Sequence, residues 1–169
     1  MKVKHILLFV SVVLLDQLSK WLLDINMQIG DSITLIPGFF RITYLHNTGA
    51  AWSMFEGKMG FFMIVTVIAL IVMGYFYYCA EKKDALTKYG LVLMMAGTLG
   101  NFIDRLCFQH VRDFLDFVIL GYDFPVFNVA DIYVTTAAVL LILLFLFYYK
   151  EEDIDLLIQK LQFWKKKEH

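Results

Sequence analysis

Hydrophobic positions gather into four blocks along the chain. Residues 6–15 are apolar apart from Ser11, and the block resumes at 21–23 after a break containing Asp16 and Lys20. Residues 59–80, 89–103 and 132–149 carry no charged side chain. A helix crossing hydrocarbon needs ~20 mostly apolar residues, each rising ~1.5 Å. The second block meets that length unaided. The others reach it only by taking in polar groups near one end, and ionisable groups in a span are costly and mark function. The pattern predicts four spanning helices. The first has a basic start, Lys2 and Lys4, but Asp16-Gln17-Leu18-Ser19-Lys20 follows it and no small-x-small cleavage signal does. It reads as a retained span.

The segments between blocks follow another rhythm. Phe40, Ile42 and Tyr44 alternate with Arg41, Thr43 and Leu45, the period of a strand. Gly30-Asp31 and Pro37-Gly38 are turn signals ahead of it, and Leu120-Gly121-Tyr122-Asp123 is a turn signal within the apolar run 114–126. β elements are therefore expected at about 30–55 and 112–127. The fold class is an all-α membrane protein: four transmembrane helices with a small extracytoplasmic β-sheet on the outer face. Residues 1–150 form one four-span domain. In the tail 151–169, Ile154, Leu157, Ile158, Leu161 and Trp164 recur at helical spacing before a run of lysines. It reads either as an amphipathic helix on the inner leaflet or as a solvated charged tail.

Charge sets the orientation. Four spans place both termini on one side, with 10 of the Lys and Arg residues there and 5 opposite. The more basic side is cytoplasmic, so segments 26–58 and 105–128 face outward. Composition narrows the class further. Apolar residues make up 60% of the 169, against ~45–50% in a soluble domain, which excludes a soluble enzyme, a disordered chain and a fibrous repeat. A net charge of −1 gives no sign of nucleic-acid binding. Two cysteines and four scattered histidines supply no disulfide framework and no metal motif. Cys107 lies three residues from His110, but a small buried hydrophobe is the commoner role of such a residue.

The polar residues within the spans lie at one depth. Asp16, Ser19 and Lys20 are near the outer end of the first span. Asn101, Asp104 and Arg105 end the third, and Asn128 and Asp131 begin the fourth, with Asp113 in the connection between those two. Three- and four-residue spacings put each set on one helix face. Gly97 and Gly100 share the Asn101 face and permit close helix approach. Such faces turned inward make a polar pocket under the sheet. Simpler readings stand beside this one: Asn128 as an N-cap with Asp131 favouring the helix dipole, Asp16–Lys20 as a self-neutralising pair, and Asp104 and Arg105 as headgroup contacts.

Five motifs in order resemble the lipoprotein signal peptidase (signal peptidase II) family. They are Asp16-Gln17-Leu18-Ser19-Lys20, Asn47-Thr48-Gly49-Ala50-Ala51-Trp52, Gly100-Asn101-Phe102-Ile103-Asp104-Arg105, Val111-Arg112-Asp113-Phe114 and Phe127-Asn128-Val129-Ala130-Asp131. The likeness covers roughly residues 10–140. It departs from the family pattern at Ala96, Thr98 and Arg112, the last placing a cation beside Asp113 in sequence.

The resemblance implies an aspartic endopeptidase of the bacterial cytoplasmic (inner) membrane, with both termini cytoplasmic and its active site near the outer face. Its substrate is a diacylglyceryl-modified prolipoprotein, cut just before the lipid-bearing Cys. It implies Asp113 and Asp131 as the catalytic pair, with Asp16, Lys20, Asn47, Gly49, Asn101, Asp104, Arg105, Asn128 and Ala130 binding substrate or supporting the site. It also implies contact with membrane lipid and inhibition by globomycin-type cyclic peptides. Neither metal nor cofactor is expected, nor nucleic acid, and the expected state is a monomer. Two carboxylates ~3 Å apart cannot both ionise cheaply, so they share a proton, as hydrolysis by paired acid and base requires. The alternative from the residues alone is a small proton-coupled transporter or channel subunit.

Overall fold

The computed structural model describes residues 2–49, 59–80, 85–150 and 152. All of the expected tail but Glu152, the 81–84 connection and the Ala50-Ala51-Trp52 part of the second motif lie outside the described residues.

Among the described residues four helices, α1 (Val3–Asp24), α2 (Met59–Cys79), α3 (Ala85–Phe108) and α4 (Val129–Phe147), are each long and apolar enough to cross a membrane. Their outward faces carry side chains such as Leu14, Ile64, Ile71 and Phe145 in the open. Only hydrocarbon solvates such faces cheaply, and a helix pairs its backbone groups internally, so the chain is a multi-pass membrane protein. The buried apolar core is small: Met73 of α2 packs with Leu91, Val92 and Met95 of α3, and Leu8 and Phe9 of α1 close over them. The helix end beside this region is not wholly apolar. His5 is buried and Nδ1 lies 2.5 Å from the Tyr77 hydroxyl, a polar contact that the sequence pattern did not mark.

α3 is the central element, and its glycines explain why. A Cβ at Gly97 would lie 2.6 Å from the Ala130 carbonyl oxygen, and one at Gly100 would strike the Asp16 carboxylate and approach the Ala130 methyl at 3.3 Å. The missing side chains let α1, α3 and α4 meet at backbone distance.

Strands β1 (Ser32–Ile36), β2 (Phe40–Asn47), β3 (Val111–Ile119) and β4 (Tyr122–Asp123) form one antiparallel sheet in that order. Gly38 turns β1 into β2 with φ +72°, a conformation costly for other residues. α3 ends in a left-handed residue, Gln109 (φ +63°), whose N–H returns to the Arg105 carbonyl. The chain then enters β3 directly, bringing Arg112 back beside Asp104. Phe127 pairs with Leu115 of β3 through two backbone bonds, so α4 starts alongside the strand.

The strict alternation expected in β2 breaks. Pairing runs Ile42–Leu115 and then Leu45–Asp113, so β2 carries one extra residue. The bulge moves Tyr44 to the face of Arg41 and Thr43, and moves Leu45 and Asn47 to the face of Asp113. Tyr44 thereby donates its hydroxyl to Asp24 at the end of α1.

Candidate active site

Asp113, Asp131, Asn101, Asn128 and Asn47 converge where β3, α3 and α4 meet beneath the bulged strand. Asp113 comes from the third position of β3, with Asn47 diagonal to it on β2. Asn128 is the N-cap of α4: its side-chain oxygen accepts from the Asp131 N–H at 3.1 Å, while the Asp131 carboxylate accepts from the Asn128 N–H at 3.0 Å. This reciprocal cap satisfies two otherwise orphaned backbone donors. The cap reading and the site reading of Asn128 and Asp131 thus hold together.

Each carboxylate oxygen of the two aspartates faces one N–H. Asp113 accepts from Asn128 Nδ2 at 2.7 Å and from Asn47 Nδ2 at 2.8 Å. Asp131 accepts from Asn101 Nδ2 at 2.7 Å and from the Asn128 backbone. None of the three amides is free to turn over, because each side-chain oxygen is taken by a group that can only donate. Asn47 Oδ1 accepts from the Gly49 N–H at 2.9 Å, Asn128 Oδ1 from the Asp131 N–H, and Asn101 Oδ1 from Lys20 Nζ at 2.9 Å.

Below this frame lies a buried ionic layer. Lys20, Asp16 and Asp104 are wholly buried. Lys20 Nζ reaches Asp16 at 2.9 Å and Asp104 at 3.1 Å. Asp16 also accepts from the Ala130 N–H at 2.9 Å, tying α1 to the first turn of α4. Asp104 accepts from the Arg112 guanidinium at 2.7 Å and its backbone N–H at 3.0 Å. Gln17 joins the layer, donating to the Gly100 carbonyl at 3.0 Å and to Asp104 at 3.2 Å, and receiving from Arg112 at 3.1 Å. The Asp16–Lys20 pair is thus part of a wider network, and Asp104 meets Lys20 and Arg112 inside the protein. Nothing in the spacing of Gln17 along the chain marks it as a member of this layer. Arg112 further binds Asp24.

Arg112 does not act on Asp113, contrary to what their adjacency suggests. Neighbours on a strand point to opposite faces, and Arg112 spends its guanidinium on the ionic layer. Electrostatics on the two faces differ accordingly. Burial, and next the charge of Asp131, push the Asp113 carboxyl up to about 7, against the opposing effect of the Asn47 and Asn128 hydrogen bonds and of Lys20. Three residues on, Asp116 is also desolvated, yet bonds from Arg41 at 2.8 and 3.0 Å and from Thr43 at 2.6 Å hold it below the ordinary carboxylate value. One strand therefore carries a proton-retaining carboxyl on one side and an ion-paired one on the other.

Asp113 and Asp131 both line a cavity of about 840 Å³. Asn47, Gly49, Asn101 and Arg105 line it beside them, and Phe39, Phe117, Phe124, Phe127 and Ile132 give it apolar walls. Arg105 lies over the Phe62 ring at 5.1 Å and donates to the Gly49 carbonyl at 3.5 Å, and among the described residues its buried Nε has no hydrogen-bond partner. Asp16, Lys20, Asp104 and Ala130 stand behind the wall and do not line this cavity. Cys107 is exposed rather than buried, because it lies on the outward face of α3 near its end. Among the described residues no cluster of three or more His, Cys, Asp or Glu suits a metal ion.

A helical membrane protein with two carboxyls held in an amide frame in the wall of a largely apolar cavity has the parts of a membrane-embedded hydrolase. Residues 8–147 match the family model described as signal peptidase (SPase) II, and the chain belongs to that family of proteases. It is 47% identical over 126 residues to the lipoprotein signal peptidase of Staphylococcus haemolyticus (strain JCSC1435), covering 75% of this chain and 80% of the relative. To the lipoprotein signal peptidase of Staphylococcus aureus (strain JH9) it is 46% identical over 130 residues, covering 77% and 80%. Two solved bacterial membrane enzyme structures, both obtained by the in meso method, superpose with TM-scores of 0.83 and 0.81 at 42% identity. These cover 89% and 88% of this chain, and 94% and 96% of theirs.

Proposed function

We propose that this protein is an intramembrane aspartic endopeptidase that removes the signal peptide from diacylglyceryl-modified prolipoproteins, cutting N-terminal to the lipid-bearing Cys. The observation that carries the reading is the single frame in which Asn128 binds Asp113 through its side chain and Asp131 through its backbone. Peptide hydrolysis needs a base for water and an acid for the carbonyl oxygen. The raised Asp113 carboxyl supports a pair that holds one proton at neutral pH.

In this mechanism the ionised member takes a proton from water as the water oxygen bonds to the scissile carbonyl carbon. The protonated member hydrogen-bonds the carbonyl oxygen. The C–N bond then breaks, and the proton taken from water passes to the leaving amine. Titration belongs to the pair, so base and acid are not assigned to one residue each. Asn47, Asn101 and Asn128 orient the carboxyls, and Gly49 lies beside Asn47 at the mouth. Arg105, with donor capacity unspent inside the cavity, receives a substrate carbonyl or the ester region of the lipid. The aromatic walls accept the apolar signal peptide. Asp16, Lys20, Asp104 and Ala130 brace the site from behind.

The excess of Lys and Arg on the terminal side supports a reading with the termini in the cytoplasm and the cavity near the outer face of a bacterial cytoplasmic membrane. A globomycin-type cyclic peptide is expected to occupy the cavity, and the enzyme to work as a monomer in lipid. The test is direct. Asp113→Asn and Asp131→Asn are assayed with a lipid-modified prolipoprotein, and each is expected to lose cleavage while Cys107→Ala retains it. Near-normal turnover in either aspartate variant would refute the pair. Mass spectrometry of the product is expected to show a lipid-bearing Cys at its new N-terminus.

A further inference from the structure

Lys20 makes no contact with the cavity, yet its three donors are all spent. They go to Asp16 Oδ2 at 2.9 Å, Asp104 Oδ2 at 3.1 Å and Asn101 Oδ1 at 2.9 Å. A lysine ammonium has three N–H bonds, and Lys20 is fully buried. Two of its bonds neutralise charge. The third goes to a neutral amide, a use that ion pairing does not require.

That third bond has a directional consequence. Lys20 cannot accept, so Asn101 must turn its oxygen toward Nζ and its Nδ2 toward Asp131, where it donates at 2.7 Å. Asn128 Nδ2 has two N–H bonds: one goes to Asp113 at 2.7 Å and the other to Asn101 Oδ1 at 3.0 Å, so Asn101 Oδ1 accepts from a neutral donor as well as from Lys20. The Lys20 bond is the charge-assisted one, and such bonds are roughly twice as strong as neutral ones. We propose that Lys20 is a positioning residue for the reaction: through Asn101 it fixes the donor that orients the Asp131 carboxylate, from a side the substrate never reaches. The proposal rests on the reading of Asp113 and Asp131 as the reacting pair.

The same chain of contacts gives the α1 charge a defined route to the site: Lys20 Nζ, Asn101 Oδ1, Asn101 Nδ2, Asp131 Oδ1. A purely structural lysine would act on stability and leave the chemical step of the folded enzyme alone. A positioning lysine acts on turnover, and only while Asn101 is present to relay it.

The experiment is a double-mutant cycle on the full-length purified enzyme with a lipid-modified prolipoprotein as substrate. Lys20→Met is made together with Asp16→Asn, so that one cation and one anion leave together and Asp104 keeps Arg112. Losing a hydrogen bond that orients a charged group predicts about tenfold lower kcat, with KM changed less than ~twofold. In an Asn101→Ala background the same two substitutions are expected to lower kcat no further, because the relay is already gone. Lys20→Arg, which keeps the donors, is expected to recover most of the turnover. An unchanged kcat in the folded double variant, or an equal loss with and without Asn101, overturns the proposal. If the double variant does not fold, Asn101→Ala alone decides: it removes the donor to Asp131 while Lys20 keeps Asp16 and Asp104, and it is expected to lower kcat about tenfold with KM little changed. Parental turnover there overturns the proposal. If Asp113→Asn or Asp131→Asn still cleaves, the reading of the pair fails. If both are inactive and the cycle is additive, only the role of Lys20 fails.

Discussion

Asn128 donates its side-chain amide to the Asp113 carboxylate at 2.7 Å, joining the cap of one helix to the third residue of a strand. The contact exists because Phe127 pairs with Leu115 and delivers the start of α4 to β3. Replacing Asn128 by Ala removes this bond and the cap together. Losing a bond to a charged group is worth ~1.5–3 kcal/mol, so turnover is expected to fall roughly tenfold to a hundredfold. The lost cap is expected to cost about 1 kcal/mol of stability. Cleavage kinetics and thermal unfolding in lipid separate the two effects.

The elevated Asp113 carboxyl predicts a pH dependence of rate. The pair is expected to lose its remaining proton near pH 7, so kcat/KM is expected to fall on the alkaline side from about that pH. A profile flat from pH 6 to 9 would contradict the shared proton.

The same group predicts a pH dependence of stability. An unfolded Asp ionises near ~3.9, whereas folded Asp113 holds its proton to about 7. The folded state therefore binds the extra proton between those values, and its contribution to stability decreases as pH rises through that window. Asp113→Asn cannot ionise, so the decline in melting temperature from pH 5 to 8 is expected to be smaller in that variant than in the parent.

Arg112 is expected to behave oppositely. Arg112→Val strips the guanidinium from Asp104, Asp24 and Gln17, leaving buried acceptors short of donors. Stability is expected to drop by roughly 1–3 kcal/mol. The alkaline limb of the rate profile stays in place, because the side chain points away from Asp113. A displaced limb would show that the two faces of β3 communicate.

Gly97→Ala tests the helix contact beneath the site. Its new methyl would lie 2.6 Å from the Ala130 carbonyl oxygen, and backbone cannot swing aside as a side chain can. Overpacking of this kind costs ~1–3 kcal/mol. Lower melting temperature is the expected outcome, with turnover falling as Ala130 and the neighbouring cap shift.

Much of this fold is legible in the sequence because the bilayer imposes length and composition on every span. The four helices, the small sheet and the glycine face of α3 follow from blocks, alternation and three- to four-residue spacing. The clustering of Asp16, Lys20, Asn101, Asp104, Asn128 and Asp131 follows from their common depth. Two features were not legible. The β2 bulge leaves no mark in a run that alternates through Leu45, yet it decides that Asn47 faces Asp113. The destination of Arg112 was also hidden, since adjacency in sequence means opposite sides on a strand. Its partners Gln17 and Asp24 come from another helix, which no local pattern announces.

The first turn of α4 closes on itself through Asn128 and Asp131, and these are two of the groups on which cleavage is proposed to depend. Drift at either position is then penalised twice, once in the yield of inserted protein and once in lipoprotein maturation. A resistance mutation against a compound seated on these residues has correspondingly little room to arise there, and is expected to surface instead among the phenylalanines of the cavity wall.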